Sequence, residues 1–284
     1  MTGGWSEAEK AKYGPWAVIA GGSNGTGEAY ARELAATGIN VLLISRRQET
    51  LDALAADLRQ QYGIETRTLA QDLMAADAAQ NILAASADLD VGLYISNAGA
   101  DDLAAPFFSE PVERWRQLIG MNVLAVTEAV HGFGNRFLGR GHGGIVLMSS
   151  GAALSGIPYL QVYSATKSFE MVLTEALWSE LAPSDVDITC VIAPAMDTPF
   201  FRRSITGDLL VQMQAAGIIF QPGDIARRVL ADLPHKPLQL FEPRNGKSAT
   251  EILEERLAAM GDAAGAGNAF AEERERAASA PIMC

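Results

Sequence analysis

This sequence predicts a doubly wound α/β fold: one domain built on a parallel sheet of about seven strands, with helices on both faces. Three observations predict it. Short apolar runs of strand length recur along the chain, each followed by a stretch of helix-forming composition. The first run ends in a glycine cluster, as a buried strand does where it turns into a helix. The spacing between runs is that of βαβ units, whose right-handed crossovers lay the strands side by side.

Residues 1–14 are polar and read as a partly ordered N-terminal arm. WAVIA at 16–20 is the first strand, and the helix over 25–37 stops at Gly38. VLLIS at 41–45 is the second strand, followed by a helix over 48–61 with Leu51, Leu54 and Leu58 at helical spacing. A third strand over 65–69, a helix over 75–85 and the strand VGLYIS at 91–96 come next. One long helix covers 111–138, and Gly143 and Gly144 precede a strand at 145–148. The helix over 161–182 is closed by Pro183, and a sixth strand at 187–192 runs to Pro194.

Residues 15–242 make up the domain in this reading. Its segment 196–222 is weakly patterned, carries Pro199, Phe200, Phe201, Ile218, Ile219 and Phe220, and follows a strand's C-terminal end. Ligands bind at that edge of such sheets, so the segment reads as a substrate lid; a core-packing or dimer helix pair is the alternative. Residues 243–284 change character, with a charged helix near 248–260, a Gly/Ala linker and the ending AEERERAASAPIMC. They read as a helical or flexible tail without chemistry.

The formal net charge of −12 argues against non-specific nucleic-acid binding. Apolar runs stay short of the ~20 residues needed to span a bilayer, and the first residues, MTGGWSEAEKAKYG, lack the apolar core of a signal peptide. Two cysteines, Cys190 and Cys284, cannot make a disulfide framework, which fits a reducing compartment. The expectation is a cytoplasmic chain with neither nucleic acid nor membrane as partner. His131, His142 and His235 are scattered without ligand spacing, so no metal site is expected.

The glycine cluster carries the first chemistry. In AGGSNGTG at 20–27, Gly21, Gly25 and Gly27 follow a GxxxGxG spacing between a strand and a helix. Gly21 permits the turn, while Gly25 and Gly27 let backbone approach a pyrophosphate and let helix pack on strand. The helix N-terminus then attracts the anion. Gly21, Ser23, Asn24, Gly25, Thr26 and Gly27 are therefore the candidate dinucleotide cradle of a Rossmann-type domain; the bland alternative is a plain strand-to-helix turn. The end of the second strand selects the dinucleotide. Where NAD-binding folds place an acidic residue for the ribose, this chain has Arg46 and Arg47. A 2′-phosphate favours a guanidinium and repels a carboxylate, so NADP(H) is expected in preference to NAD(H).

YSATK at 163–167 places a phenol and an ammonium one helical turn apart on one face. A nearby cation favours the phenolate. A phenol titrating near neutrality needs ~4 kcal/mol of differential stabilisation, more than one lysine supplies, so further partners are required.

With these residues assembled, the chain resembles the short-chain dehydrogenases/reductases over roughly 14–230. Asn97, Ala98 and Gly99 match the family's NAG element, and Asp72 sits where the family has an acidic residue near the adenine. Asn122 matches the helix asparagine of the catalytic tetrad. In MSSG at 148–151 the second serine precedes Tyr163 by the family's usual interval, which makes Ser150 the catalytic serine and Ser149 its neighbour. Pro194 and Thr198 resemble the proline-led loop whose threonine touches the nicotinamide carboxamide. Segments such as YGPWAV at 13–18, LISRR at 43–47 and VYSATKSF at 162–169 are similar to the branch of 17β-hydroxysteroid dehydrogenases and 3-oxoacyl-CoA reductases. Ala20, Thr26 and Ala195 depart from the usual Thr, Ile and Gly.

The resemblance implies reduction of a ketone to a secondary alcohol on a bulky apolar small molecule, steroid-like, 3-oxoacyl or aryl. It implies Tyr163 as proton donor, Ser150 holding the carbonyl oxygen, Lys167 binding nicotinamide ribose, and Asn122 holding a water that relays protons to Lys167. The same tetrad serves alcohol oxidation, the alternative direction. A non-catalytic dinucleotide sensor is the alternative from another class, although such proteins usually lose the Tyr or Lys. Helices 111–138 and 161–182 look like the pair that forms the dimer in relatives, and Trp115, Phe133, Phe137 and Trp178 read as surplus apolar surface for a homodimer or homotetramer, with core burial within one subunit as the alternative. Pocket walls are expected from 100–108, 151–160 and 196–222, with Leu103, Phe107, Phe108, Leu154, Tyr159, Phe200 and Phe201 on them.

Overall fold

In the computed structural model, residues 5–99, 104–204, 208–215, 217–241, 247–248 and 250–258 are described. The chain runs through α1 (Glu7–Tyr13), β1 (Trp16–Ala20), α2 (Gly25–Ala36), β2 (Asn40–Ser45), α3 (Gln48–Tyr62), β3 (Thr66–Ala70), α4 (Ala78–Ala85) and β4 (Val91–Ser96). It continues through α5 (Val112–Ile119), a π-helical turn (Gly120–Leu124), α6 (Ala125–Arg140), β5 (His142–Met148), α7 (Gln161–Leu181) and β6 (Asp185–Ile192). Last come β7 (Ala195–Met196), α8 (Pro199–Ser204), α9 (Asp208–Ala215), β8 (Ile219–Phe220), α10 (Pro222–Asp232) and β9 (Leu238–Leu240).

Seven strands form one sheet in the order β3-β2-β1-β4-β5-β6-β9, parallel throughout. The doubly wound expectation holds. Successive residues of a strand face opposite sides, so Ala17 and Ile19 enter one core while Trp16, Val18 and Ala20 enter the other. The first core also takes Tyr30 and Leu34 of α2, Leu51 and Leu58 of α3, and Ile225 and Val229 of α10. Ile82 of α4, Phe133 and Phe137 of α6 and Met171 of α7 fill the second. Strand β1 has β2 on one side and β4 on the other, so the chain changes direction across the sheet at β1, and a crevice opens at the C-terminal ends of β1 and β4.

Three expectations need correction. The arm expected over 1–14 contains a helix, α1, capped by a reciprocal Ser6–Glu9 box. Seven residues are too few for a stable helix in isolation, so docking holds it. Trp5 and Tyr13 are buried against each other, Lys12 pairs with Asp185 and Asp187 at 2.6 Å each, and the Tyr13 hydroxyl donates to Asp187. These contacts lie at the N-terminal ends of the strands, opposite the crevice. The single helix expected over 111–138 is broken by the π-helical turn at Gly120–Leu124. An extra residue in one turn leaves the apolar pattern on either side nearly intact, which hides it from periodicity.

Trp115, Phe133 and Phe137 are not surplus surface. They are buried within the subunit, Phe133 stacked on Tyr94 at 4.4 Å, and Trp178 packs against the same core. Large exposed apolar side chains along these helices are Val112, Ile119, Leu124, Leu138 and Val172. Segment 196–222, weakly patterned in sequence, holds the ordered elements α8 and α9 and a two-stranded parallel ribbon of β7 and β8.

The seventh strand, β9, is three residues long; its buried Gln239 donates to the Val229 carbonyl at 3.1 Å. Leu103, the first four residues, the 242–246 boundary and the tail beyond 258 with Cys284 lie outside the described residues. Residues 250–258 are helical, within the charged helix expected near 248–260. Among the described residues, no helix is long and apolar enough to cross a membrane, and no His/Cys/Asp/Glu group could hold a metal ion.

Candidate active site

Strand ends converge on one groove of about 890 Å³. Its walls come from the loops after β1, β2, β3, β4, β5 and β6, together with α7 and α8. All the residues singled out for chemistry line it except Gly27 and Asn122, which stand behind it.

Backbone geometry builds the floor. Gly21 has φ +85°, and a Cβ there would stand 2.8 Å from the Ala98 nitrogen. Asn97 fastens this crossing: its backbone N–H donates to Ala20 O at 2.9 Å and its side-chain amide to Gly21 O at 3.0 Å. Gly27 is a packing position, since a Cβ there would lie 2.0 Å from Gly21 O, a contact no side chain could make. Asn24 precedes α2 in extended conformation, so the first turn of that helix opens on the groove beside Ser23 and Gly25. Thr26, in place of the usual Ile, is buried and donates to Met196 Sδ at 3.3 Å, joining the glycine loop to β7. A Cβ on Gly25 would meet Thr198 at 3.1 Å, so the glycine loop and the start of α8 are in close contact here as well.

Arg46 and Arg47 stand exposed at the groove's far end, with no ion pair among the described residues. Asp72 lines the same end and accepts the Met74 N–H at 3.0 Å in a local turn. A dinucleotide fits these features: a glycine crossing without side chains in the way, a helix N-terminus, and two guanidiniums at the groove's far end without an ion pair among the described residues.

At the other end, Ser149 and Ser150 differ in use. Ser149 is buried and donates to the Lys167 carbonyl at 2.8 Å; the Ser150 hydroxyl accepts the Ala152 N–H at 3.2 Å, and both residues line the groove. Tyr163 and Lys167 line it too, with the ammonium 5.9 Å from the Tyr163 ring centroid. Asn122 is buried in the π-helical turn and donates to Thr166 at 3.0 Å. Its Oδ1 has no hydrogen-bond partner among the described residues. A Cβ on Gly99 would be 2.8 Å from that Oδ1 and 2.7 Å from Lys167 Nζ, so the three residues meet around one point. An orphaned buried acceptor beside an ammonium is where a bridging water finds partners.

Sequence reading missed Glu170. Its carboxylate contacts Lys167 Nζ at 2.9 and 3.0 Å, and the Met148 carbonyl accepts from the same nitrogen at 2.8 Å. Burial works against the Lys167 charge, but Glu170, together with Tyr163 and Cys190, outweighs it and holds the ammonium above the ordinary lysine range. Burial, partly opposed by Lys167, pushes Glu170 up to about 7. The available signal was its place one turn after Lys167, in a stripe with Met171 and Thr174 that faces the core.

The expected pocket walls are met in part. Phe200 and Phe201 line the groove. Phe107 instead stacks on Trp115 at 5.7 Å, and Leu154 packs on the second core. Phe108 and Tyr159 are exposed outside the groove, Tyr159 with φ +69°. Leu73, Met74, Met121 and Met196, not anticipated, add apolar surface.

Comparison with known proteins agrees with this geometry. Residues 15–208 match the family model "short chain dehydrogenase". The chain is 30% identical over 196 residues to a 7beta-hydroxysteroid dehydrogenase of Collinsella aerofaciens, covering 69% of this chain and 74% of that protein. It is 35% identical over 203 residues to a very-long-chain 3-oxoacyl-CoA reductase of Podospora anserina, covering 70% and 60% respectively. A solved 7beta-hydroxysteroid dehydrogenase structure superposes with a TM-score of 0.78 at 27% identity, covering 83% of this chain and 90% of that one. With its sheet order, its glycine crossing and this match over most of its length, the chain belongs to the short-chain dehydrogenase family of oxidoreductases.

Proposed function

We propose that this protein is an NADP(H)-dependent reductase that converts the carbonyl of a bulky apolar molecule, steroid-like, 3-oxoacyl or aryl, to a secondary alcohol. The observation that carries the reading is one continuous groove with unpaired Arg46 and Arg47 at one end and Tyr163, Ser150 and Lys167 at the other. Phe200, Phe201, Met121 and Met196 give its wall an apolar lining, in keeping with the relatives named for hydroxysteroids and 3-oxoacyl-CoA.

The cradle at 21–27 and Asn97 would hold the dinucleotide, with Arg46 and Arg47 on its 2′-phosphate. When bound, the reduced nicotinamide supplies the hydride. Ser150, whose hydroxyl hydrogen has no partner among the described residues, donates to the carbonyl oxygen and stabilises the charge that develops there. Tyr163 delivers its phenolic proton to the same oxygen. Lys167 sets a positive charge beside that phenol and offers hydrogen bonds to the ribose. Asn122, through its free Oδ1, anchors a water next to Lys167 by which the proton is replaced.

The test is Tyr163→Phe in an NADPH-oxidation screen over steroid ketones, 3-oxoacyl thioesters and aryl ketones. Loss of at least ~10³-fold in kcat on every substrate the parent turns over is expected; undiminished turnover would sink the assignment. We also propose a homodimer or homotetramer. It rests on the exposed Val112, Ile119, Leu138 and Val172 along α5, α6 and α7 rather than on the buried aromatics. Sedimentation at micromolar concentration showing only a 30.2 kDa species would refute it.

A further inference from the structure

Outside the groove's lining, one charged group sits where charge is costly. Glu170 and Lys167 are each 2% exposed, three residues apart on α7, and turned toward the sheet. On a surface such a pair contributes little. Buried, each charge depends on the other, because removing one leaves the second uncompensated in a dry environment. The Met148 carbonyl and the Glu170 carboxylate together fix Nζ, while the lysine still reaches the groove wall next to Gly99 and Asn122. No other carboxylate contacts this ammonium among the described residues.

We propose that Glu170 is a positioning residue acting through Lys167, holding its ammonium charged and fixed beside Tyr163 in a site that would otherwise favour the neutral amine. The inference rests on the reading of Tyr163 and Lys167 given above and deepens it. A lysine without a counter-ion could keep its charge only by drawing in water; here a carboxylate built into the same helix does so before any cofactor arrives. The titratable groups facing the pair are Tyr163 on α7, Cys190 on β6 and Tyr94 on β4. Burial pushes the Cys190 thiol well up and the Tyr94 phenol to about 12, so neither competes as an anion near neutral pH. Glu170 is left as the counter-charge.

The pair is tested directly by following Lys167 with 13Cε-lysine NMR on the full chain, its signal assigned by Lys167→Met. Glu170→Gln keeps an acceptor but no charge, and Glu170→Asp keeps the charge with a shorter reach. The Lys167 titration midpoint is expected to fall by at least about one pH unit, tenfold in the equilibrium, in the Gln variant and to recover in part in the Asp variant. The alkaline limb of the kcat profile should move with it. An unmoved midpoint overturns the proposal. So does a moved midpoint with an unmoved limb, provided Tyr163→Phe is inactive. If Tyr163→Phe stays active, the preceding reading fails on its own, and the NMR titration still decides whether Glu170 holds the charge.

Discussion

Gly99 and Lys167 meet so closely that a methyl group on the glycine would stand 2.7 Å from the ammonium nitrogen, and the glycine's φ of +141° is one that side chains rarely adopt. Gly99→Ala therefore strains the backbone and displaces Lys167 or Asn122. Strain of this kind costs about 1–3 kcal/mol. The expected outcome is a lowered Tm together with a kcat reduced tenfold or more; a variant with parental Tm and kcat would show that the contact yields freely.

The two adjacent serines should separate by type of damage. Ser149→Ala removes a buried hydrogen bond to the Lys167 carbonyl and is expected to cost about 1 kcal/mol in urea unfolding. Ser150→Ala removes a hydroxyl that accepts one 3.2 Å bond and lines the groove, so stability should hold while kcat falls by about 100-fold. Reversal of this pattern would exchange their roles.

Cofactor choice is read at the end of β2. Arg46→Asp and Arg47→Asp together replace unpaired guanidiniums by carboxylates, and NADPH affinity should weaken at least ~tenfold while NADH affinity changes little. Fluorescence titration with each dinucleotide separates the two. An unchanged NADPH affinity would remove the arginines from the site.

Stability should carry a pH signature from Glu170. Its folded-state pKa of about 7 lies above the ordinary 4.5, so the folded chain binds more protons than the unfolded one between those values. Its contribution is fully present below about pH 4.5 and is lost as pH rises through about 7. Lys167, whose pKa is raised above 10.5, adds no slope in this window. Urea melts at several pH values should show the stability difference between parent and Glu170→Gln declining across that range; a constant difference would contradict it.

Much of this was legible beforehand because the signals are local. WAVIA, VLLIS and VGLYIS are strands buried on both faces, and such strands are written as continuous apolar runs. The glycine loop shows itself because Gly21 and Gly27 answer to steric contacts that only glycine meets. What escaped depends on contacts distant in sequence or too short to pattern. The burial of Glu170 depends on β6, whose Cys190 faces it from twenty residues further along the chain. The aromatics of α5 and α6 read as surplus surface because composition does not reveal that Tyr94 and Phe107 are waiting to stack on Phe133 and Trp115. Strand β9, at three residues, is too brief to show a period.

The first helix has a consequence for the order of assembly. Lys12 and Tyr13 find their partners, Asp185 and Asp187, 173 and 174 residues further along the chain. Those bonds cannot close until β6 has been synthesised and has joined the sheet. Helix α1 is thereby tied to β6 at the end of the sheet away from the groove.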